Sequence, residues 1–136
     1  MTGERSDLTS AGDPLVRRAQ ADVIVQRAAD QLRSLLHSLA AEIDPFPPFP
    51  GAMFAYGIEV EPGSAESRGC VVLGEDGELY ELQLGLDIGQ ASTGSAVAMR
   101  SEERLPLDDL TPGEYVAYAH RAVRAATEYL LRQQEG

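Results

Sequence analysis

Gly69-Cys-Val-Val-Leu-Gly-Glu-Asp-Gly-Glu-Leu-Tyr-Glu-Leu-Gln-Leu-Gly-Leu86 is the stretch whose reading decides the fold. Gly69–Leu73 is a short run rich in β-branched residues, which favour a pleated strand. Gly74-Glu-Asp-Gly77 follows, and its Asp-Gly step is a strong hairpin signal because it supplies the positive φ that tight turns demand. Beyond it, Tyr80, Leu82, Leu84 and Leu86 alternate with polar or small residues over Glu78–Leu86, the period of a strand with one apolar face. Two such strands joined by such a turn fold back on each other.

Outward from the hairpin the same logic adds strands. In Ala52–Glu61, Phe54, Tyr56, Ile58 and Val60 recur at every second position, which predicts a strand before the Gly63-Ser-Ala-Glu-Ser loop. After the small-residue loop Gly89–Ser95, Ala96–Arg104 is the candidate fourth strand. Consecutive strands separated by turns predict an antiparallel β-meander of three to four strands with one buried face.

A helix is expected on either side of the meander. Asp13 suits an N-cap and Pro14 the first helical position, where its missing N–H has no role. From there to Ile43 no Gly or Pro intervenes, and Val25, Ala28, Leu32, Leu35, Leu36, Leu39 and Ile43 recur at three- and four-residue spacing. The spacing predicts one helix over 14–43, long enough that the end carrying Leu15, Val16 and Ala19 either protrudes or packs on a second copy. Asp44-Pro-Phe-Pro-Pro-Phe-Pro-Gly51 ends it, and four prolines in six residues are expected to forbid helix and ladder pairing. On the other side, Thr111-Pro-Gly-Glu114 is a capping box, with Leu110 and Tyr115 spaced as a hydrophobic staple. Tyr115, Ala119, Ala122, Val123, Ala126, Tyr129 and Leu130 continue an apolar face and predict a helix over 112–132, fraying near Gln133. The fold class is α+β in the order α-β-β-β-β-α, one domain over 13–136 behind a disordered tail at 1–12.

Charge narrows the function. The 136 residues carry 22 acids and 11 bases, a formal net charge of -11, and residues 44–110 account for -10 of it. No basic patch is evident along the chain, so direct contact with nucleic acid or an anionic membrane is not expected. Every base is Arg, the pattern of a GC-rich bacterial coding bias, and the absence of Lys excludes Schiff-base and P-loop lysine chemistry. The thirteen glycines never stand two apart, so no G-x-G-x-x-G exists. Cys70 is the only cysteine, which excludes an intrachain disulfide and fits a reducing cytoplasm. No signal or transmembrane run is visible.

Chemistry-bearing constellations are sparse. Gly85-Leu-Asp-Ile-Gly89 resembles the first phosphate loop of the actin-like ATPases; the resemblance implies that Asp87 positions a metal and that Ser92 or Thr93 contacts phosphate. That fold needs two large lobes, which a chain this short cannot build, so the simpler reading is a glycine-containing turn. Gly89-Gln-Ala-Ser-Thr-Gly94 has P-loop glycine spacing, but Ser95 stands at the lysine position. His37 and His120 flank the apolar stripes of their helices, and Cys70 in a strand reads as a small buried hydrophobe. Glu102-Glu103 and Asp108-Asp109 have no metal-ligand spacing. No catalytic residue, metal ligand or cofactor is therefore assigned. Phe46 and Phe49, on a proline-stiffened segment, either cap the core or form an exposed recognition element, while Leu15 and Val16 are expected to meet a second copy. The leading expectation is a protein-interaction module acting as a homodimer through its first helix. The alternatives are an acidic inhibitor or nucleic-acid mimic meeting a basic partner, and a ligand-binding domain or enzyme whose pocket lies between sheet and helices and uses Tyr56, Tyr80 or Tyr115.

Overall fold

The structure, a computed structural model, describes residues 13–50, 52, 54–60, 70–86 and 100–135, with the backbone alone at 84–86, 100 and 101. The expected tail, both loops and Asp87, Ser92 and Thr93 lie outside the described residues. The chain is α+β: an N-terminal helix, a four-strand antiparallel meander and a C-terminal helix packed against the first. We number the elements α1 (Pro14–Glu42), β1 (Ile58–Glu59), β2 (Cys70–Leu73), β3 (Leu79–Leu86), β4 (Arg100–Pro106) and α2 (Pro112–Glu135). The strands lie side by side in chain order.

The helix ends form as their sequences dictate. Asp13 caps α1, its carboxylate accepting from the Leu15 N–H at 2.9 Å, with Pro14 opening the helix. The capping box at α2 is made in both directions: the Thr111 N–H donates to Glu114 at 2.9 Å, and the Glu114 N–H to the Thr111 hydroxyl at 3.2 Å. α2 runs three residues beyond the expected end at 132.

Two contacts fix how the helices lie. The Arg33 guanidinium stacks 4.4 Å from the centre of the Tyr115 ring, and the Gln133 amide reaches the Pro45 carbonyl at 3.3 Å. The helices therefore run in the same direction, and α2 begins beside the second half of α1. Every residue from 13 to 24 is exposed, Val25 and Ala28 are half-buried, and Ala29 is the first buried one.

The core lies between the helices and one face of the sheet. Ile58, Leu73, Leu79 and Val71 share that face by register and are buried with Val60 against Ala29, Leu36 and Ile43 of the first helical segment and Tyr115, Tyr118, Ala119, Ala122 and Ala126 of α2. Leu36 and Leu73 are wholly buried, each side chain contributing roughly 1.5–3 kcal/mol from removal from water. Small alanines on α2 let the two helices and the sheet approach closely.

Register also corrects the expected buried face of β3. Tyr80 and Leu82 pair with Val72 and Cys70, and so lie on the face turned away from the helices, while Leu79 faces the core. Leu82 and Val72 are nonetheless buried. The chain before β1 folds over this far face: a Cβ on Gly57 would stand 3.0 Å from Val72, and the Phe54 and Ala55 N–H groups donate to Glu102 of β4 at 2.8 and 2.9 Å. Hence the strand expected across 52–61 shrinks to two residues, and Phe54 and Tyr56 are exposed rather than part of a common apolar face. The proline run does pair, contrary to expectation. Phe49 still has an N–H, which donates to the Ala55 carbonyl at 2.9 Å, and the Gly57 N–H reaches the Pro47 carbonyl at 3.2 Å, making an isolated antiparallel bridge between Pro48 and Tyr56. Prolines on either side stop it from growing into a ladder.

Candidate binding groove

α2 turns two faces to two environments. Tyr115, Tyr118, Ala119, Ala122 and Ala126 enter the core. More than a third of a turn away, Ala117, Arg121, Arg124, Ala125, Glu128 and Arg132 form a stripe at three- and four-residue spacing along the helix surface. This stripe and the edge formed by the proline run and β1 enclose an open groove of about 970 Å³, lined on the far wall by Pro47, Pro48, Pro50, Gly57, Ile58 and Glu59. His120 and Tyr129 complete the α2 wall.

The electrostatics of the groove differ from those of the whole chain. Arg121 donates to the Ala117 carbonyl of its own helix at 3.0 Å, and Arg132 lies 5.9 Å from the centre of the Tyr129 ring. Among the described residues Arg124 has no hydrogen-bond or ion-pair partner, and none of the three arginines has a carboxylate within 4.0 Å. Glu128 and Glu59 line the same space without neutralising them.

The far face of the sheet carries the opposite arrangement. Arg104 of β4 grips Glu75 with both terminal nitrogens, at 2.7 and 3.3 Å, donates to the Tyr56 carbonyl at 3.0 Å and stacks 4.1 Å from the Tyr80 ring centre. Tyr80 donates its hydroxyl to Asp76, which also accepts from the Glu78 N–H at 3.0 Å. Arg104 holds the Glu75 carboxyl below its ordinary pKa. Burial pushes Asp76 upward, but the Tyr80 and Glu78 hydrogen bonds outweigh it and the net shift is down. Desolvation, then the bond to Asp76, pushes the Tyr80 hydroxyl up to about 12. Glu78 contacts His37 of α1 at 2.5 Å, joining the β2–β3 turn to the helix. These groups fasten the turn and the segment before β1 to the sheet.

The residues singled out in the sequence are scattered. Tyr115 is in the core, Tyr80 in the far-face network, and Tyr56 half exposed beside Pro48. Phe46 packs against the core and Phe49 is half-buried, whereas Leu15 is 72% exposed and Val16 42%. Cys70 donates to Glu59 at 3.7 Å; burial, then the Glu59 charge, pushes its thiol up to about 11, which suppresses the reactive thiolate. His120 reaches the groove and His37 does not. Among the described residues no group of three or more His, Cys, Asp or Glu is placed to hold a metal ion, and no helix is long and apolar enough to cross a membrane.

The arginine stripe is the feature that sequence reasoning missed. Residues 111–136 hold three acids and three bases, so a tally by segment hides it. The 121, 124, 132 spacing is its signal, visible only when α2 is read as a surface. Comparison with known protein families, with curated proteins and with solved structures finds no match for this chain.

Proposed function

We propose that the protein is a protein-interaction module that works as a homodimer, paired through the N-terminal part of α1. The observation that carries this reading is the exposure of Leu15, Val16, Val23 and Ile24, at 72%, 42%, 49% and 64%, on the part of α1 that precedes its first buried residue, Ala29. A helix of such a length is marginal in water by itself, and exposed apolar side chains on it favour a covering surface. A second copy suits that surface on charge. Residues 13–24 carry Asp13, Arg17, Arg18 and Asp22 and so are formally neutral, while the whole chain stands at -11. Two copies meeting there keep their acidic parts apart. Each apolar side chain fully buried across the axis contributes roughly 1.5–3 kcal/mol before association costs. A cytoplasmic setting, where the free Cys70 thiol stays reduced, belongs to the same reading.

The acidic-inhibitor reading finds less support, because Glu75, Asp76, Glu78 and Glu102 are engaged by groups of their own chain. Light scattering at moderate salt tests the dimer. The expected mass is twice 14.6 kDa, falling to 14.6 kDa when Leu15→Glu and Val23→Glu are combined, with helical circular dichroism retained. A monomeric wild-type chain at about 100 μM, a concentration above the micromolar range of ordinary specific dimers, overturns the proposal.

A further inference from the structure

We infer that the groove between α2 and the proline run binds an acidic, extended segment of a partner polypeptide. The inference does not rest on the dimer: the groove follows α2 from Ala117 to Arg132, toward the end of α1 opposite its exposed one.

Charge selects the occupant. In a chain with twice as many acids as bases, Arg121, Arg124 and Arg132 share one helical stripe and have no carboxylate within 4.0 Å among the described residues. Arg104, by contrast, is gripped by Glu75, and Arg33 approaches Asp30 at 4.0 Å. Guanidiniums offer planar, forked donors that match carboxylates.

Geometry selects its shape. Arg121 and Arg132 are eleven residues apart on α2, about 16 Å along the axis, the length of roughly five extended residues. That span suits a strand-like segment better than a compact metabolite. Arg124 and Arg132 are about 12 Å apart along the same axis, so the acids they receive stand about four residues apart in an extended chain. Glu128 lies between these two arginines and excludes a continuous acidic run. Between its acids the occupant therefore carries apolar residues, against Tyr129, Ala125 and the faces of Pro47, Pro48 and Pro50. The prolines are already stiff, which reduces the entropy lost on binding. At the rim, the register of β1 turns the Glu59 N–H and carbonyl away from β2, toward the open edge. Long nucleic acids carry the same sign of charge, but the net -11 of the molecule repels a polyanion that extends beyond the groove.

The test uses the full chain and a fluorescein-labelled heptapeptide with two glutamates at each end and three apolar residues between. Fluorescence anisotropy at low salt is expected to show saturable binding that weakens at 150 mM salt. Combining Arg124→Ala with Arg132→Ala is expected to weaken binding at least tenfold. Arg27→Ala, an exposed position on α1 outside both the groove and residues 13–24, is expected to change it less than twofold. Amide shifts in the wild type are expected to move at residues 117–132 and not at 13–27, a readout that needs no variant. No binding of the peptide, equal binding of its glutamine counterpart, tighter binding of a twenty-nucleotide oligothymidylate, or insensitivity to the Arg124 and Arg132 changes would each overturn the inference. Loss of the dimer with peptide binding intact would remove the proposed function alone.

Discussion

The turn between β2 and β3 and the outer stripe of α2 hold charge in opposite ways. At the turn, Glu75 is matched by Arg104, Asp76 by the Tyr80 hydroxyl and Glu78 by His37. On α2, Arg124 has no partner among the described residues, and Arg121 and Arg132 touch only a helix carbonyl and a ring. A net charge of -11 suggests an acidic surface as the working one. Pairing reverses that emphasis. Charges that find partners within the fold spend their field on structure, and the unpaired minority remains available for recognition. Sign and number are composition; availability is geometry.

The comparison breaks most severely at Gly77. Its φ is +83°, and an added Cβ would stand 2.7 Å from the His37 Cα, a backbone atom that cannot swing aside. Gly77→Ala therefore combines left-handed strain with a clash between the turn and α1. A loss of about 2–4 kcal/mol is expected, read as a shift of the urea midpoint. A loss under about 1 kcal/mol would show that the turn moves freely off α1 and that its charges are not fastened as described.

Arg104 comes next. Arg104→Ala removes a two-point ion pair, a bond to the Tyr56 carbonyl and a ring stack, and a loss of about 2 kcal/mol at pH 7 is expected. The ion-pair part is discounted because the Glu75 side chain is 49% exposed. The pH dependence has a definite sign. The Glu75 pKa is lowered in the fold by Arg104, so its contribution is present above the ordinary carboxylate pKa of about 4.3 and is lost as pH falls through the folded value. The gap between wild type and Arg104→Ala in urea midpoint is thus expected to narrow between about pH 5 and pH 2. A constant gap would assign the effect to the ring stack and the carbonyl bond alone.

How much of this was legible in the sequence follows from the range of each interaction. Caps and turns are local: Asp13, Thr111, Glu114 and the Asp76-Gly77 step act within a few residues, and all form as read. The meander order follows from the same short-range signals. What periodicity could not decide was which face of β3 meets the helices, because Leu79 and Leu82 are both apolar, lie on opposite faces and are both buried. The covering of the far face depends on Glu102 and Arg104 meeting residues 54–56 from nearly fifty positions away. The groove depends on the proline run settling beside α2, a long-range contact that no residue of the run announces. Each miss is a tertiary contact between segments distant in the chain.

The smallest expected effect sharpens the comparison from the other side. If the α2 arginines are held for recognition, removing them leaves the fold nearly unchanged. Arg124 is exposed and without a described partner, and Arg132 is exposed and touches only the Tyr129 ring, at 5.9 Å. Alanine has the higher helix propensity, a gain of a few tenths of a kcal/mol at most at each position, which offsets the lost ring contact. The electrostatic term is also slight, because removing two cations from a chain at -11 adds only screened, long-range repulsion. Combining Arg124→Ala with Arg132→Ala is therefore expected to shift stability by no more than about 0.5 kcal/mol in urea, against about 2 kcal/mol for Arg104→Ala. A loss comparable to that of Arg104→Ala would mean that these guanidiniums also hold the fold together, and the two regions would then differ in the sign of their charge and not in its use.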